Sequence, residues 1–318
     1  MKKNIIISNF CFMNGWDSGN LKTTNNYEIY LKNAFVCLKS AKNNNPNTRC
    51  ILFVNKQPEE KYSKLFQNND IEIMELPFSY FVFDKNYKWA LAYYKLNVLQ
   101  FLSEGFVPFD NLIMLDNDVY IKSSLDQVFQ DCEKRILLYD IGRRLNSPEY
   151  EAFYNDLKAF YSSDAFPIIL YGGEFIATNK SNLIEMMSCL KELYKTIKEN
   201  NISIQSGDEF LISLFAEHRR DLIMNSANYI GRYWTGMYRI HSENSGYDYV
   251  KILHCPSEKS FGFLKIFKHL SKNKIITNKQ AYRMLHLYHG HIHLPTILWY
   301  LKNQMKKTKK QKISSSSK

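Results

Sequence analysis

The stretch Leu112-Ile113-Met114-Leu115-Asp116-Asn117-Asp118-Val119-Tyr120-Ile121 decides how this 318-residue chain is read. Four apolar residues in a row, with no charge among them, read as a strand buried on both faces, as in the interior of a parallel sheet. Two carboxylates, Asp116 and Asp118, follow with one residue between them, and a second short strand resumes at Val119. In open α/β sheets ligands lie beyond the carboxyl ends of the strands, so this spacing delivers two hard oxygen donors to a ligand position. Magnesium or manganese bound to a diphosphate uses one or two protein carboxylates. Such an ion neutralises a departing nucleotide diphosphate. A bare Asp-x-Asp also occurs in solvated turns; the buried strand in front of this one is what points to a metal.

On both sides of this strand, short apolar runs alternate with helical periodicity, which predicts an α/β fold with a sheet flanked by helices. The expected strands are Ile5 to Ser8, Cys50 to Val54, Ile71 to Leu76, Ile136 to Tyr139, Ile169 to Tyr171 with Phe175 to Ala177, and Lys251 to His254. Trp89, Ala92, Leu96, Leu99 and Leu102 recur at helical spacing, and Gly105 supplies the stop. Ser147, Pro148 and Glu149 open another helix as cap, first-turn proline and acid. A third helix is expected from Ser181 to about Glu199. Ser206-Gly207-Asp208-Glu209 reads as a capping box before a helix starting at Phe210, with Glu209 as the structural cap.

Composition sets outer limits. With 45% hydrophobic residues the chain can bury one large core. Six cysteines stand singly, with no close pair to suggest zinc or a disulfide framework, so a reducing, cytoplasmic setting is expected. No run reaches the length of a membrane span. A net charge of +11 implies an anionic partner, and much of the excess falls between Lys302 and Lys312. Beyond about Ser260 the pattern turns to helices rich in Lys and His, and the final lysine and serine tract reads as a disordered tail. The expected division is 1–262 as the catalytic domain, 263–305 as a helical extension and 306–318 as the tail.

These motifs, taken in order over roughly residues 1–262, resemble the GT-A fold glycosyltransferases with a D-x-D motif, in particular the glycogenin and bacterial lipopolysaccharide galactosyltransferase family. Asn26-Tyr27, leading into Cys50 to Val54, is similar to that family's N-terminal helix and second strand. Tyr94-Lys95-Leu96 resembles its basic helix position. Tyr171-Gly172-Gly173-Glu174-Phe175 resembles its Asn-x-Gly segment, and Gly207-Asp208-Glu209-Phe210 its Asp-Gln-Asp helix start. Ile252-Leu253-His254, followed by Lys259-Ser260-Phe261, is similar to its metal and phosphate segment.

The resemblance implies a Rossmann-like mixed sheet with helices on both faces and a Mn2+ (or Mg2+) ion held by Asp116, Asp118 and His254. It further implies Lys259 and Lys95 at the diphosphate, Tyr27 near the nucleobase, and a UDP-sugar donor. Asn117, Gly172 and Gly173 are expected to touch the donor, and Asp208 or Glu174 to contact the sugar or act in catalysis. The implied reaction moves a hexose or N-acetylhexosamine to a glycan or lipid-linked glycan acceptor, as in bacterial lipopolysaccharide or capsule biosynthesis.

Departures qualify this. Asn117 stands where the family has a small residue, Pro256-Ser257-Glu258 replaces a glycine-bearing stretch, and Asp208-Glu209 replaces Gln-Asp. The family retains anomeric configuration, which is the expectation here; a carboxylate in place of that glutamine opens an inverting alternative in which it deprotonates the acceptor.

Three further features bear on partners. The loop Tyr229 to Tyr238, with Arg232, Tyr233 and Trp234, suits stacking on an acceptor sugar. His286, His289, His291 and His293 match no zinc signature. Leu294, Ile297, Leu298, Leu301 and Met305 form an apolar stripe beside the lysines, which suits shallow docking of a peripheral enzyme on an anionic membrane surface. Two rival functions are weaker. A sugar-nucleotide nucleotidyltransferase would carry a glycine-rich loop after the first strand, where Asn9 to Gly19 has only Gly15 and Gly19. A basic nucleic-acid-binding protein would show a recognised binding motif, and none is present, so no nucleic acid partner is expected.

Overall fold

The computed structural model describes residues 2–16, 26–142, 147–161, 166–235 and 246–287. The strands are β1 (Asn4–Phe10), β2 (Arg49–Val54), β3 (Ile71–Glu75), β4 (Asn111–Leu115), β5 (Val119–Ile121), β6 (Ile136–Asp140), β7 (Tyr171–Asn179), β8 (Ile223–Asn225), β9 (Ile230–Arg232) and β10 (Ile252–His254). The α-helices are α1 (Asn26–Asn44), α2 (Glu60–Gln67), α3 (Tyr94–Ser103), α4 (Asp126–Cys132), α5 (Pro148–Tyr161), α6 (Lys180–Glu199), α7 (Glu209–His218), α8 (Gly262–Leu270) and α9 (Asn278–Met284).

Seven strands form the main sheet in the order β3-β2-β1-β4-β7-β6-β8, and β5-β10-β9 form a small second sheet. The strands β3, β2, β1 and β4 run parallel, while β7 is antiparallel to both β4 and β6. Chain order reverses direction across the sheet between β1 and β4, the switch point at which ligands of open α/β sheets bind. The Asp116-Asn117-Asp118 segment leaves β4 at that point.

Successive side chains of a strand point to opposite faces, and here both faces are covered. Ile6, Leu52 and Ile113 pack with Leu31 and Phe35 of α1, Val128 of α4 and Phe263 of α8 on one side. Ile7, Phe53 and Met114 pack with Leu96 of α3, Phe153 of α5, Met187 of α6 and Leu211 of α7 on the other. The helices α8 and α9 thus belong to the first layer: Phe267 meets Phe35 edge-on at 5.6 Å, and Ala281 and Tyr282 join the same core.

Local signals explain some of the boundaries. Gly105, at φ +88°, stops α3 in the left-handed region that glycine tolerates. The hydroxyl of Ser147 accepts a hydrogen bond from the Tyr150 amide at 3.2 Å, and Pro148 takes the first helical position of α5. Three expectations differ from the fold. Tyr171 to Asn179 form one continuous nine-residue strand, and Ile169 lies outside it, half exposed. The helix α6 starts at Lys180, with Asn179 as its cap. The helix α7 begins at Glu209 without a side-chain cap, so the expected Ser206–Glu209 capping box does not form; the Glu209 carboxylate instead meets the partly buried Arg232. The expected tail, the last helix and the residues of the histidine cluster beyond His286 lie outside the described residues. No described helix is long and apolar enough to cross a membrane.

Candidate active site

Six pieces of the chain converge at the carboxyl end of β4. The Asp-x-Asp turn supplies Asp116 and Asp118, β10 ends on His254, and a short 3-10 turn from Pro256 to Glu258 leads into Lys259. The helix α3 contributes Lys95, the start of α7 contributes Asp208, and β7 brings Gly172, Gly173 and Glu174 alongside. All of these named residues except Gly172, Glu174 and Glu258 border an open cleft of about 1150 Å³.

One oxygen from each aspartate and one imidazole nitrogen of His254 fall within 4.8 Å of one another. Asp116 is about one-third exposed and opens onto the cleft; Asp118 and His254 are nearly sealed. His254 Nε2 lies 3.1 Å from Oδ2 of Asp118, and the Lys259 ammonium donates to the same oxygen. Burial raises the Asp118 carboxyl, but Lys259 and His254 beside it overcome this and hold it well below the ordinary carboxylate range. His254 shows the converse balance: burial lowers it, and Asp118 and Glu174 together outweigh burial, leaving it raised to about 9. Two carboxylates and one imidazole form a mixed oxygen and nitrogen donor set that fits manganese or magnesium.

Lys95 forms a second node. Its ammonium lies 3.0 Å from Asp116 Oδ1 and 3.0 Å from Asp208 Oδ2, and donates to the Gly173 carbonyl at 2.7 Å. Burial dominates at Asp208 and raises its carboxyl to about 6, with Lys95 opposing and Glu209 and Asp116 adding to the rise. The glycine pair is required by crowding. A Cβ on Gly173 would stand 2.1 Å from Asp208 Oδ2, and one on Gly172 would stand 1.9 Å from Glu174 Oε2. Pairing of β6 with β7 is also irregular here, jumping from Leu138↔Ile176 to Tyr139↔Gly172.

A third node lies behind His254. Glu174 is 1% exposed, receives Arg232 Nε at 2.7 Å and Nη2 at 2.6 Å, and lies 3.2 Å from His254 Nδ1. Arg232 Nη2 reaches Glu209 Oε1 at 3.1 Å as well. Among the described residues, neither Glu174 nor Gly172 borders the cleft, whereas Gly173, Asp208, Glu209 and Arg232 do. Asn117 also borders it, but its side chain is turned to β1, accepting from Ser8 Oγ at 2.7 Å and donating to the Asn9 carbonyl at 3.0 Å. At the β1 end, Tyr27 meets Phe12 edge-on at 5.2 Å, and Tyr30, one turn later and stacked on Phe10 at 5.8 Å, borders the cleft.

The described architecture is matched by solved structures. A crystal structure of the galactosyltransferase LgtC in complex with donor and acceptor sugar analogs aligns over 88% of this chain and 99% of that chain, at a TM-score of 0.51 and 12% identity. An active-site mutant of LgtC aligns over 88% of this chain and 99% of that chain, at a TM-score of 0.53 and 14% identity. This chain has the GT-A fold. No protein-family model and no curated protein matches it.

Within this GT-A domain, sequence reasoning missed two site residues and one support. The sequence marks Arg232 only as part of an aromatic loop, although the Gly172-Gly173 doublet beside Glu174 signals a bulky partner. Trp89, read only as a helix position, borders the cleft and packs at 3.6 Å from the position a Gly207 Cβ would take. Asp156, 2% exposed, accepts from the Gln205 amide at 2.9 Å and the Ser206 amide at 2.7 Å, and so holds the loop that leads to Asp208. In the aromatic loop, Tyr229 and Tyr233 are core residues and Trp234 borders the cleft; residues 236–238 lie outside the described residues.

Proposed function

We propose that this protein is a metal-dependent glycosyltransferase that moves a hexose or N-acetylhexosamine from a UDP-sugar to a glycan acceptor, in the synthesis of a bacterial surface polysaccharide or lipo-oligosaccharide. One observation carries the reading: Asp116, Asp118 and His254 converge at the switch point of a GT-A sheet, with Lys259 on the same carboxylate. LgtC, whose fold this is, was crystallised with donor and acceptor sugar analogs.

In this reading Asp116, Asp118 and His254 hold Mn2+ or Mg2+, which when bound offsets the charge that develops on the leaving diphosphate. Lys259 provides a compact point charge for diphosphate oxygens. Lys95 orders the sugar end of the site by tying Asp116 to Asp208, and Asp208 accepts hydrogen bonds from donor hydroxyls. Gly173 leaves the backbone open to the donor, and Tyr27 and Tyr30 flank the nucleobase end. Trp89 and Trp234 border the remainder of a cleft whose volume exceeds the ~300–1,000 Å³ of ordinary ligand pockets, which supports room for donor and acceptor together.

Retention of anomeric configuration is the proposed outcome. Its support is that Asp208 is only 7% exposed and paired to Lys95, whereas the base of an inverting displacement has to open toward the acceptor hydroxyl. Attachment to an anionic membrane through residues 294–318 belongs to the same proposal and rests on their composition. The test is release of UDP from a panel of UDP-sugars with and without manganese. Turnover that needs the ion and is lost in Asp118→Ala supports the reading; turnover that persists in the variant, or formation of pyrophosphate instead of UDP, contradicts it.

A further inference from the structure

We propose that Glu174 is a positioning residue of the metal centre: it holds the Nδ1 proton of His254, so that Nε2 is the nitrogen that releases its proton and faces the metal, and Arg232 is the counter-charge that lets so buried a carboxylate do this. The inference rests on the reading of Asp116, Asp118 and His254 as the metal ligands.

The geometry is that of a relay of contacts. On one side of the imidazole, Nε2 lies 3.1 Å from Asp118; on the other, Nδ1 lies 3.2 Å from Glu174 Oε1. A histidine offers Nε2 to a metal only as the Nδ1–H tautomer, and a carboxylate at Nδ1 both selects that tautomer and raises the basicity of the ligating nitrogen. Glu174 is itself out of a substrate's reach, since its side chain is fully buried and, among the described residues, does not border the cleft. It therefore acts through His254.

A lone carboxylate in that position would be too costly to bury charged. Arg232 supplies the compensation with the paired fork of a guanidinium, Nε to Oε1 at 2.7 Å and Nη2 to Oε2 at 2.6 Å. The fork also fixes the plane of the carboxylate, so Oε1 is aimed at the imidazole. The chain has made room for this pair at a specific place: a Cβ on Gly172 would lie 1.9 Å from Glu174 Oε2 and 2.8 Å from Arg232 Nη2. Because Arg232 also reaches Glu209 at 3.1 Å, next to Asp208, one arginine braces the metal side and the sugar side of the cleft together.

Calorimetric titration of the full chain with Mn2+ alone tests this without turnover. Glu174→Gln puts an amide donor against either Arg232 or His254, and should weaken Mn2+ binding about 10- to 100-fold. If the effect runs through the imidazole, the same substitution made in a His254→Gln background should cost almost nothing further. Gly172→Ala, which displaces the Glu174–Arg232 pair without altering any charge, should weaken Mn2+ binding in the same direction and keeps the test open if Glu174→Gln does not fold. Mn2+ affinity unchanged in Glu174→Gln, or an equal loss in both backgrounds, would overturn the assignment while leaving the metal site in place. Wild-type protein that binds no Mn2+, or Asp118→Ala that binds it as well as wild type, would remove the metal site and the assignment together.

Discussion

Lys95 Nζ lies 3.0 Å from Oδ2 of Asp208, and each side chain is only 7% exposed. The same ammonium lies 3.0 Å from Asp116, so one buried cation serves a carboxylate at the metal end of the cleft and one at the sugar end. Burial disfavours the charged lysine, and the two aspartates outweigh it, keeping Lys95 protonated.

Removing that cation leaves buried negative charge without a partner. Lys95→Met should destabilise the fold by about 3–5 kcal/mol near pH 8, the usual cost of breaking a buried pair. The loss should shrink near pH 5, where Asp208 takes a proton instead. Urea denaturation at the two pH values checks this, and an equal loss at both would contradict it.

Asp208 makes its own pH prediction. Its carboxyl is raised from an ordinary 3.8 to about 6 in the folded protein, chiefly by burial. The unfolded chain therefore releases this proton first as pH rises. The stabilising contribution of the protonated acid is complete below 3.8 and is lost as pH climbs through about 6. Relative to wild type, Asp208→Asn should thus gain stability between pH 4 and pH 7, by about 3 kcal/mol at most. Denaturation midpoints that run parallel for the two proteins across this range would contradict the assignment.

Much of this site was legible in the sequence, and the reason is local. An uninterrupted apolar strand ending in two acids can be read without knowing its neighbours, and so can a glycine stop such as Gly105. Pairing between distant segments leaves no such trace. Arg232 and Glu174 are 58 residues apart, and no periodicity joins them. Glu209 follows Ser206 at capping-box spacing, but the nearby guanidinium of Arg232 offers its carboxylate an ion pair, and the local rule yields to the tertiary contact. In the sequence, two glycines split the apolar pattern of β7 into two pieces; in the fold Gly172 pairs with Tyr139, and both glycines make space for charged side chains.

That space can be filled deliberately. Gly173→Ala places a Cβ 2.1 Å from Asp208 Oδ2 and 2.7 Å from Lys95 Nζ. Overpacking of this kind typically costs about 1–3 kcal/mol. Because it displaces the Lys95–Asp208 pair, turnover should fall about tenfold or more, as small misplacements in an active site do. A thermal melt and a rate measurement on the same preparation check both parts; a stable, fully active variant would contradict the crowding argument.

Asp156 supports the site from beneath. Its carboxylate accepts from two backbone amides, those of Gln205 and Ser206. Asp156→Ala orphans both, at about 1–3 kcal/mol for each buried group left unpaired. The loop before Asp208 would loosen, and KM for the donor should rise more than kcat falls. Steady-state kinetics with the preferred UDP-sugar reads this split, and an unchanged KM would contradict it.

In the proposed function, Asp116, Asp118 and His254 hold the ion on which sugar transfer depends. The test is UDP release from a UDP-sugar, measured with saturating Mn2+, with chelator, and in Asp118→Ala. Turnover is expected in the first case and none above background in the other two. Undiminished turnover in chelator, or in Asp118→Ala, would contradict it.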